Sequence, residues 1–138
     1  MPRSKTVKYS SEDAEMSAAI RKAKETIEQF FEAFVEQTEG QKSFLLKVVF
    51  DKGDQREHIW LADLDFRGSK PSGVIANEPK LPNLKFMQRV KFNPSHISDW
   101  MYVEDDYLIG GYTTRLIRHR MTPKVRREFD ARSPYKFK

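Results

Sequence analysis

The period of the apolar residues changes once, at Gly40, and that change constrains the fold more than any other feature. Before it, apolar side chains recur at Met16, Ile20, Ala23, Ile27, Phe30 or Phe31, and Phe34, at intervals of four and three. That spacing lines one face of a helix. After it, "SFLLKVVF" sets Phe44, Leu46, Val48 and Phe50 at every second position, the spacing of a strand with one face on a core. A chain that makes this switch has to lay helix on sheet.

The helix is predicted over about 12 to 38. Ser10 and Ser11 precede the acidic "EDAE", which suits the positive end of a helix, and Gly40 supplies the stop. At 1.5 Å per residue such a helix is roughly 40 Å long. "DKGDQR" is a turn, and "EHIWLAD" returns as a second strand of a hairpin. Residues 63–85 are rich in Gly, Pro, Ser and Asn and read as a long connection with one short strand at 73–77. Connections of this length inside a compact domain are often functional. "FMQRVKF" reads as a strand with Phe86, Val90 and Phe92 on one face. "DWMYV" and "YLIG" flank "EDD" as a last hairpin. In residues 112–121, "TTRLIRHRM" opens with strand-like residues, yet Leu116, Ile117 and Met121 share a helical face; helix is the expectation. Thr122-Pro123 caps another, "PKVRREFDA". The fold class is α+β: a long N-terminal helix on a curved antiparallel sheet of four to six short strands, closing toward a small barrel, then short basic C-terminal helices. The expected organisation is a flexible basic N-terminus over 1–10, a single domain over 11–131 and a basic tail over 132–138.

With 138 residues, 38% apolar and 12% aromatic, the chain can bury one sizeable core. Having no cysteine, it has no disulfide, thiolate zinc site or Cys nucleophile. No apolar run approaches the roughly 20 residues of a membrane span, and the N-terminus lacks the apolar core of a signal peptide, so a cytoplasmic protein without membrane contact is expected. The net charge of +5 gathers at the ends: residues 112–138 carry nine Lys or Arg against two acids. Arg118, Arg120, Lys124, Arg126 and Arg127 form a candidate basic patch for phosphate or an acidic partner. No nucleic-acid motif accompanies it, and the aromatic residues sit in the sheet rather than among the basic ones, so nucleic acid is not the favoured partner.

The three histidines, His58, His96 and His119, show no metal-binding spacing, and neither metal nor cofactor is expected. His58 shares a strand face with Trp60 and Ala62, where it is a half-buried strand residue or a general base lining a cleft. Asp99 stands three residues after His96. It reads as a turn cap or an Arg partner before it reads as an orienting acid, since no serine has the flanking glycines of a nucleophile elbow. Gly110-Gly111 ends a strand and opens a helix. The pair relieves a steric problem or, with Arg115 one turn inward, forms an anion cup.

Several stretches resemble the YegJ-like family of small bacterial proteins. They are "MSAAIRKAKETIEQFFEAF", "FLLKVVF", "EHIWL", the run from Gly73 to Pro79 containing "IANEP", and "ISDWMYVEDDYLIGGYTTRLIRHRMTP". The resemblance runs from about residue 14 to 130. It implies a domain of unknown function, sometimes found beside toxin or immunity modules. Matching positions are Glu57, His58, Trp60, Asn77, Glu78, Asp99, Trp100, Gly110, Gly111, Thr113 and Arg115. The turn "EDDY", where the family tends to have Gly, and the lack of its Gly-Asp near "NLKFMQRV" are departures that imply altered loops. Glu57, His58, Trp60, Asn77, Asp99, Trp100, Gly110, Gly111, Thr113 and Arg115 are therefore the candidate site for a protein or small ligand, in a non-catalytic, regulatory or immunity-like binding module. An enzyme using His58, Asp99 and Arg115 is the alternative, and nucleic-acid binding by the basic end is the next.

Overall fold

A computed structural model describes residues 10–138. The N-terminal stretch expected to be basic and flexible falls, up to residue 9, outside them. The elements run α1 (Ser10–Glu25), α2 (Ile27–Glu36), β1 (Gln41–Lys52), β2 (Gln55–Asp65), β3 (Ser72–Ile75), β4 (Arg89–Lys91), a single 3-10 turn at Pro94–His96, β5 (Ile97–Glu104), β6 (Tyr107–Gly110), α3 (Tyr112–His119) and α4 (Pro123–Arg132). The strands form one antiparallel six-stranded sheet in the order β4-β3-β2-β1-β5-β6.

The α+β class and the antiparallel sheet follow from the apolar spacing. Two details differ. First, the long N-terminal helix is two helices. In one continuous helix the Ile27 amide would bond the Ala23 carbonyl. Here the Trp100 indole donates to that carbonyl (3.1 Å) and to Thr26 Oγ1 (3.2 Å), while the Thr26 hydroxyl donates back to Lys22 O (2.8 Å). The helix restarts where Gln29 N–H bonds Thr26 O (3.0 Å). Broken there, both pieces turn their apolar stripe onto the sheet: Ala23 and Phe30 are fully buried, with Ile27, Phe31 and Phe34 packed around them. Nor is Gly40 the stop. Gln37 ends α2 in a left-handed conformation, its amide bonded to Ala33 O (2.7 Å). Gly40 is needed instead for the approach of Asp105, whose amide donates to Gly40 O (3.1 Å).

Second, the sheet is open rather than closing toward a barrel, and its two central strands are long while β3, β4 and β6 are short. β1 and β2 are 12 and 11 residues long, and β4 and β6 stand at opposite edges. The strand expected from Phe86 to Phe92 is reduced to Arg89–Lys91, leaving Phe86 exposed. Residues 112–119 are helical, and α4 begins as predicted, with Thr122 Oγ1 accepting from Val125 N–H (3.2 Å) and Pro123 at the first position. The expectation of short basic C-terminal helices is met in length alone, because several of their arginines are bound within the chain.

The alternation of β1 sorts two clusters onto the two faces. Phe44, Leu46, Val48 and Phe50 join Ile59, Leu61, Trp100 and Tyr102 under α1 and α2. On the other face Leu45, Trp60, Met101, Val103 and Leu108 gather with Tyr135 and Phe137. The last residues are brought to that face by a parallel bridge between Lys136 and Tyr107. Leu108 N–H donates to Lys136 O (2.9 Å), and Lys136 N–H to Asp106 O (2.7 Å). Phe137 lies under the Arg118 guanidinium, 4.4 Å from the ring centroid.

Candidate functional site

Four of the predicted polar residues grip backbone. Glu57, on β2, accepts from the amides of Lys80 (2.9 Å) and Leu81 (2.9 Å), tying the connection that follows β3 to the sheet. Asn77 continues the ladder where β3 leaves it. Its Oδ1 accepts from Trp60 N–H (2.8 Å) and stands in for a strand carbonyl, next to the bond from Ala76 N–H to Trp60 O (2.9 Å). Arg115 donates to Gly110 O (2.8 Å) and Leu108 O (2.7 Å), closing the junction of β6 and α3.

Asp99 is the fourth, and it answers the question of the anion cup. Gly111 occupies the N-cap of α3 in a left-handed conformation and has no side chain to cap with. The carboxylate comes from β5 instead. Asp99 Oδ1 accepts from Trp100 N–H (2.8 Å) and Tyr112 N–H (3.1 Å), while Oδ2 accepts from Thr113 N–H (2.8 Å) and the Thr113 hydroxyl. The helix terminus is thus occupied by the protein's own anion. The glycine pair serves Trp100: a Cβ on Gly110 would lie 2.5 Å from both the Trp100 ring and its carbonyl, which also receives Gly111 N–H (2.7 Å).

Lys47 completes this network. It pairs with Asp99 across β1 and β5 and with Trp60 across β1 and β2. Its Nζ donates to Thr113 Oγ1 (2.8 Å) and lies 5.1 Å from the Trp60 ring centroid. The Thr113 hydroxyl therefore accepts from the ammonium and donates to the carboxylate. Burial pulls the Lys47 ammonium down, opposed by the charge of Asp99. Burial pushes the Asp99 carboxyl up, opposed by its hydrogen bonds to Thr113 and Trp100 and by Lys47. Lys47 escapes a search for familiar motifs. Its signal is a lone cation inside the apolar run "FLLKVVF".

His58 lies on the same sheet face but bonds elsewhere. Its Nδ1 is 3.0 Å from Ser98 Oγ, and the Ser98 hydroxyl reaches Lys47 O (3.4 Å). With that hydroxyl hydrogen on the carbonyl, Nδ1–H is the donor and Nε2 carries the free lone pair. Desolvation lowers the His58 pKa, and Lys47 and Arg56 add to the effect. Asp99 spends its oxygens on α3 and Arg115 its fork on carbonyls, so the three residues of the enzyme alternative share no hydrogen bond with one another.

Trp60 and Asn77 do share an opening. They line a cleft of about 430 Å³ with Leu45, Ala62, Met101 and Tyr135 on the face away from α1 and α2. The sequence reading missed the aliphatic members. The signal for Leu45 was the apolar run of β1, broken only by Lys47, which marks a strand with something to bury on both faces. In the basic patch, Arg118 forms a two-pronged pair with Asp130 (2.8 and 2.7 Å), Arg120 pairs with Glu15 (2.7 Å), and Arg126 donates to the carbonyls of Arg118, His119 and Met121. Lys124 and Arg127 point to solvent. Among the described residues no group of three His, Asp or Glu is placed to hold a metal ion, and no helix is long and apolar enough to cross a membrane.

A small α+β domain with its first two helices on one sheet face and a partly covered apolar cleft on the other defines the class. The chain belongs to the DUF2314 family, described as uncharacterized proteins conserved in bacteria, whose profile matches residues 13–137. It is 34% identical over 99 residues to the uncharacterized protein YegJ of Escherichia coli (strain K12), covering 71% of this chain and 63% of that one. It is 37% identical over 92 residues to a putative ankyrin repeat protein of Neisseria meningitidis serogroup B, covering 63% of this chain and 36% of that one. The chain thus spans less than two thirds of either relative. No solved structure matches it.

Proposed function

We propose that this chain is a non-catalytic binding module that takes an apolar side chain of a protein partner into the Trp60 cleft. One observation carries the reading. Glu57, Asp99 and Arg115 are spent chiefly on backbone amides and carbonyls and His58 is bonded to Ser98, so no reactive set converges, while the opening beside them is walled by Leu45, Ala62, Met101 and Trp60. Clefts of a few hundred Å³ with apolar walls and a few polar groups are the usual form of a recognition site. Asn77 places an amide at the rim, and Trp60 offers a broad, stiff ring, the residue type most enriched among binding anchors. The relative whose name refers to ankyrin repeats supports a setting of protein interaction.

The test is a titration of ¹⁵N-labelled protein with short peptides, each bearing one aromatic or branched apolar anchor. Shifts should gather on Trp60, Ala62, Met101 and Tyr135, and Ala62→Leu, which fills the cleft without touching the Lys47 network, should abolish them. Silence from every peptide, or shifts that survive Ala62→Leu, would refute the reading.

A further inference from the structure

The connection between β3 and β4 breaks two local rules at one point. Gln88 N–H bonds Lys85 O (3.1 Å), and Lys85 N–H bonds the Gln88 side chain (2.8 Å), which makes Lys85–Gln88 a tight turn with Phe86 and Met87 at its tip. Met87 has φ +73°. A positive φ at the third position of a turn is the place of Gly or Asn, and a methionine there is strained. The same two residues are also wrong for water: Phe86 is 50% and Met87 66% exposed. The loop does have an inward face. Leu81 is buried and Leu84 packs on the core, so the outward pair is not a failure to find one. Strain and exposed apolar surface at one tip are both costs to the isolated fold. They make sense together if the tip is buried in something else.

The charges along this connection say what. From Lys80 to Lys91 the sequence "KLPNLKFMQRVK" carries four basic residues and no acid. Arg89 is held by Asp63 (2.6 Å) and Ser72 (2.9 Å). Lys80, Lys85 and Lys91 are exposed and have no side-chain partner among the described residues. Two apolar side chains are far less surface than a stable protein interface requires. They suffice for reversible insertion at a bilayer interface when cations beside them face anionic headgroups.

We propose that the Phe86–Met87 turn is a membrane-docking tip, with Lys80, Lys85 and Lys91 as its contacts to an anionic lipid surface. Such a contact needs no spanning segment, so the lack of an apolar run that excludes a transmembrane helix leaves it open. It is separate from the Trp60 cleft, and Ala62→Leu should leave it unchanged.

Sedimentation with vesicles tests it. The full chain should pellet with phosphatidylcholine vesicles containing phosphatidylglycerol at low salt and stay in solution with phosphatidylcholine alone. Raising the salt should release it. Lys85→Ser should lower the bound-to-free ratio about fivefold, and the double variant Phe86→Ser, Met87→Gly should lower it about tenfold or more. The Met87→Gly variant also carries a second readout. Glycine relieves the positive φ, so the melting temperature should hold or rise as binding falls. No pelleting with anionic vesicles at low salt would overturn the proposal. So would a double variant that pellets like the parent. A lower melting temperature in Met87→Gly would show the methionine to be a packing residue and would equally count against it.

Discussion

Removing both members of the Lys47–Asp99 pair should cost far less than the two single removals added together. Asp99 is fully buried and Lys47 nearly so, and the Thr113 hydroxyl joins them. Lys47→Met leaves a buried carboxylate with no countercharge. Asp99→Asn leaves a buried ammonium, and it turns an amide donor toward the Thr113 amide that needs an acceptor. Breaking a buried pair from one side costs about 3–5 kcal/mol, a large part of a total of about 5–15 kcal/mol. In the double variant no charge is stranded, and the new side-chain amide at position 99 can donate to the Thr113 hydroxyl that Lys47 has vacated. The double should therefore lose about 3 kcal/mol rather than the roughly 6–10 kcal/mol of the two singles added together, a coupling of about 3 kcal/mol or more. Urea denaturation followed by tryptophan fluorescence measures all four proteins. Additivity within about 0.5 kcal/mol would refute the reasoning. The pH response gives an independent check on sign. Burial raises the Asp99 pKa in the fold, so the folded state holds that proton more tightly than the unfolded chain. Its favourable share is present at acidic pH and is lost as pH rises through the folded value. Lys47→Met removes the charge that opposes the shift, so its stability deficit should widen from acidic to neutral pH.

The other predictions concern single contacts. His58 titrates below its ordinary range in the fold, so the unfolded chain takes up a proton that the fold resists. Stability should then fall as pH drops through the ordinary histidine range, and His58→Gln should flatten that slope in pH-dependent urea melts. Gly110→Ala sets a methyl 2.5 Å from Trp100 at φ +77°. It should lose at least about 2 kcal/mol by thermal or urea denaturation. Asn77→Ala strips the acceptor from Trp60 N–H. It should cost about 1–2 kcal/mol and speed hydrogen exchange at that amide above its neighbours.

The sequence made periodic elements legible because each needs only its own spacing. The stripe from Met16 to Phe34, the alternation from Phe44 to Phe50 and the Thr122-Pro123 cap all mark elements that exist. What escaped was decided by partners far along the chain. Nothing in "KAKETIE" announces a break, since the group that takes the Ala23 carbonyl is the indole of Trp100. The strand expected at Phe86 fails because the Lys85–Gln88 turn claims it. For the candidate site, residue types were legible and engagements were not. Asp99, Glu57 and Arg115 look alike in sequence whether they face a ligand or a backbone amide. Only the fold shows which amides are within reach.

The two ends of the sheet have a consequence for how this domain behaves in a crowded solution. An unpaired strand edge invites another chain to add itself, which is how many β-rich proteins begin to aggregate. Here β4 offers three residues, with Arg89 and Lys91 at its ends. Along β6 the backbone of Lys136 already takes the Leu108 amide and the Asp106 carbonyl. Neither border is a good template for another strand, so the domain can leave an apolar cleft open on one broad face without inviting its own polymerisation.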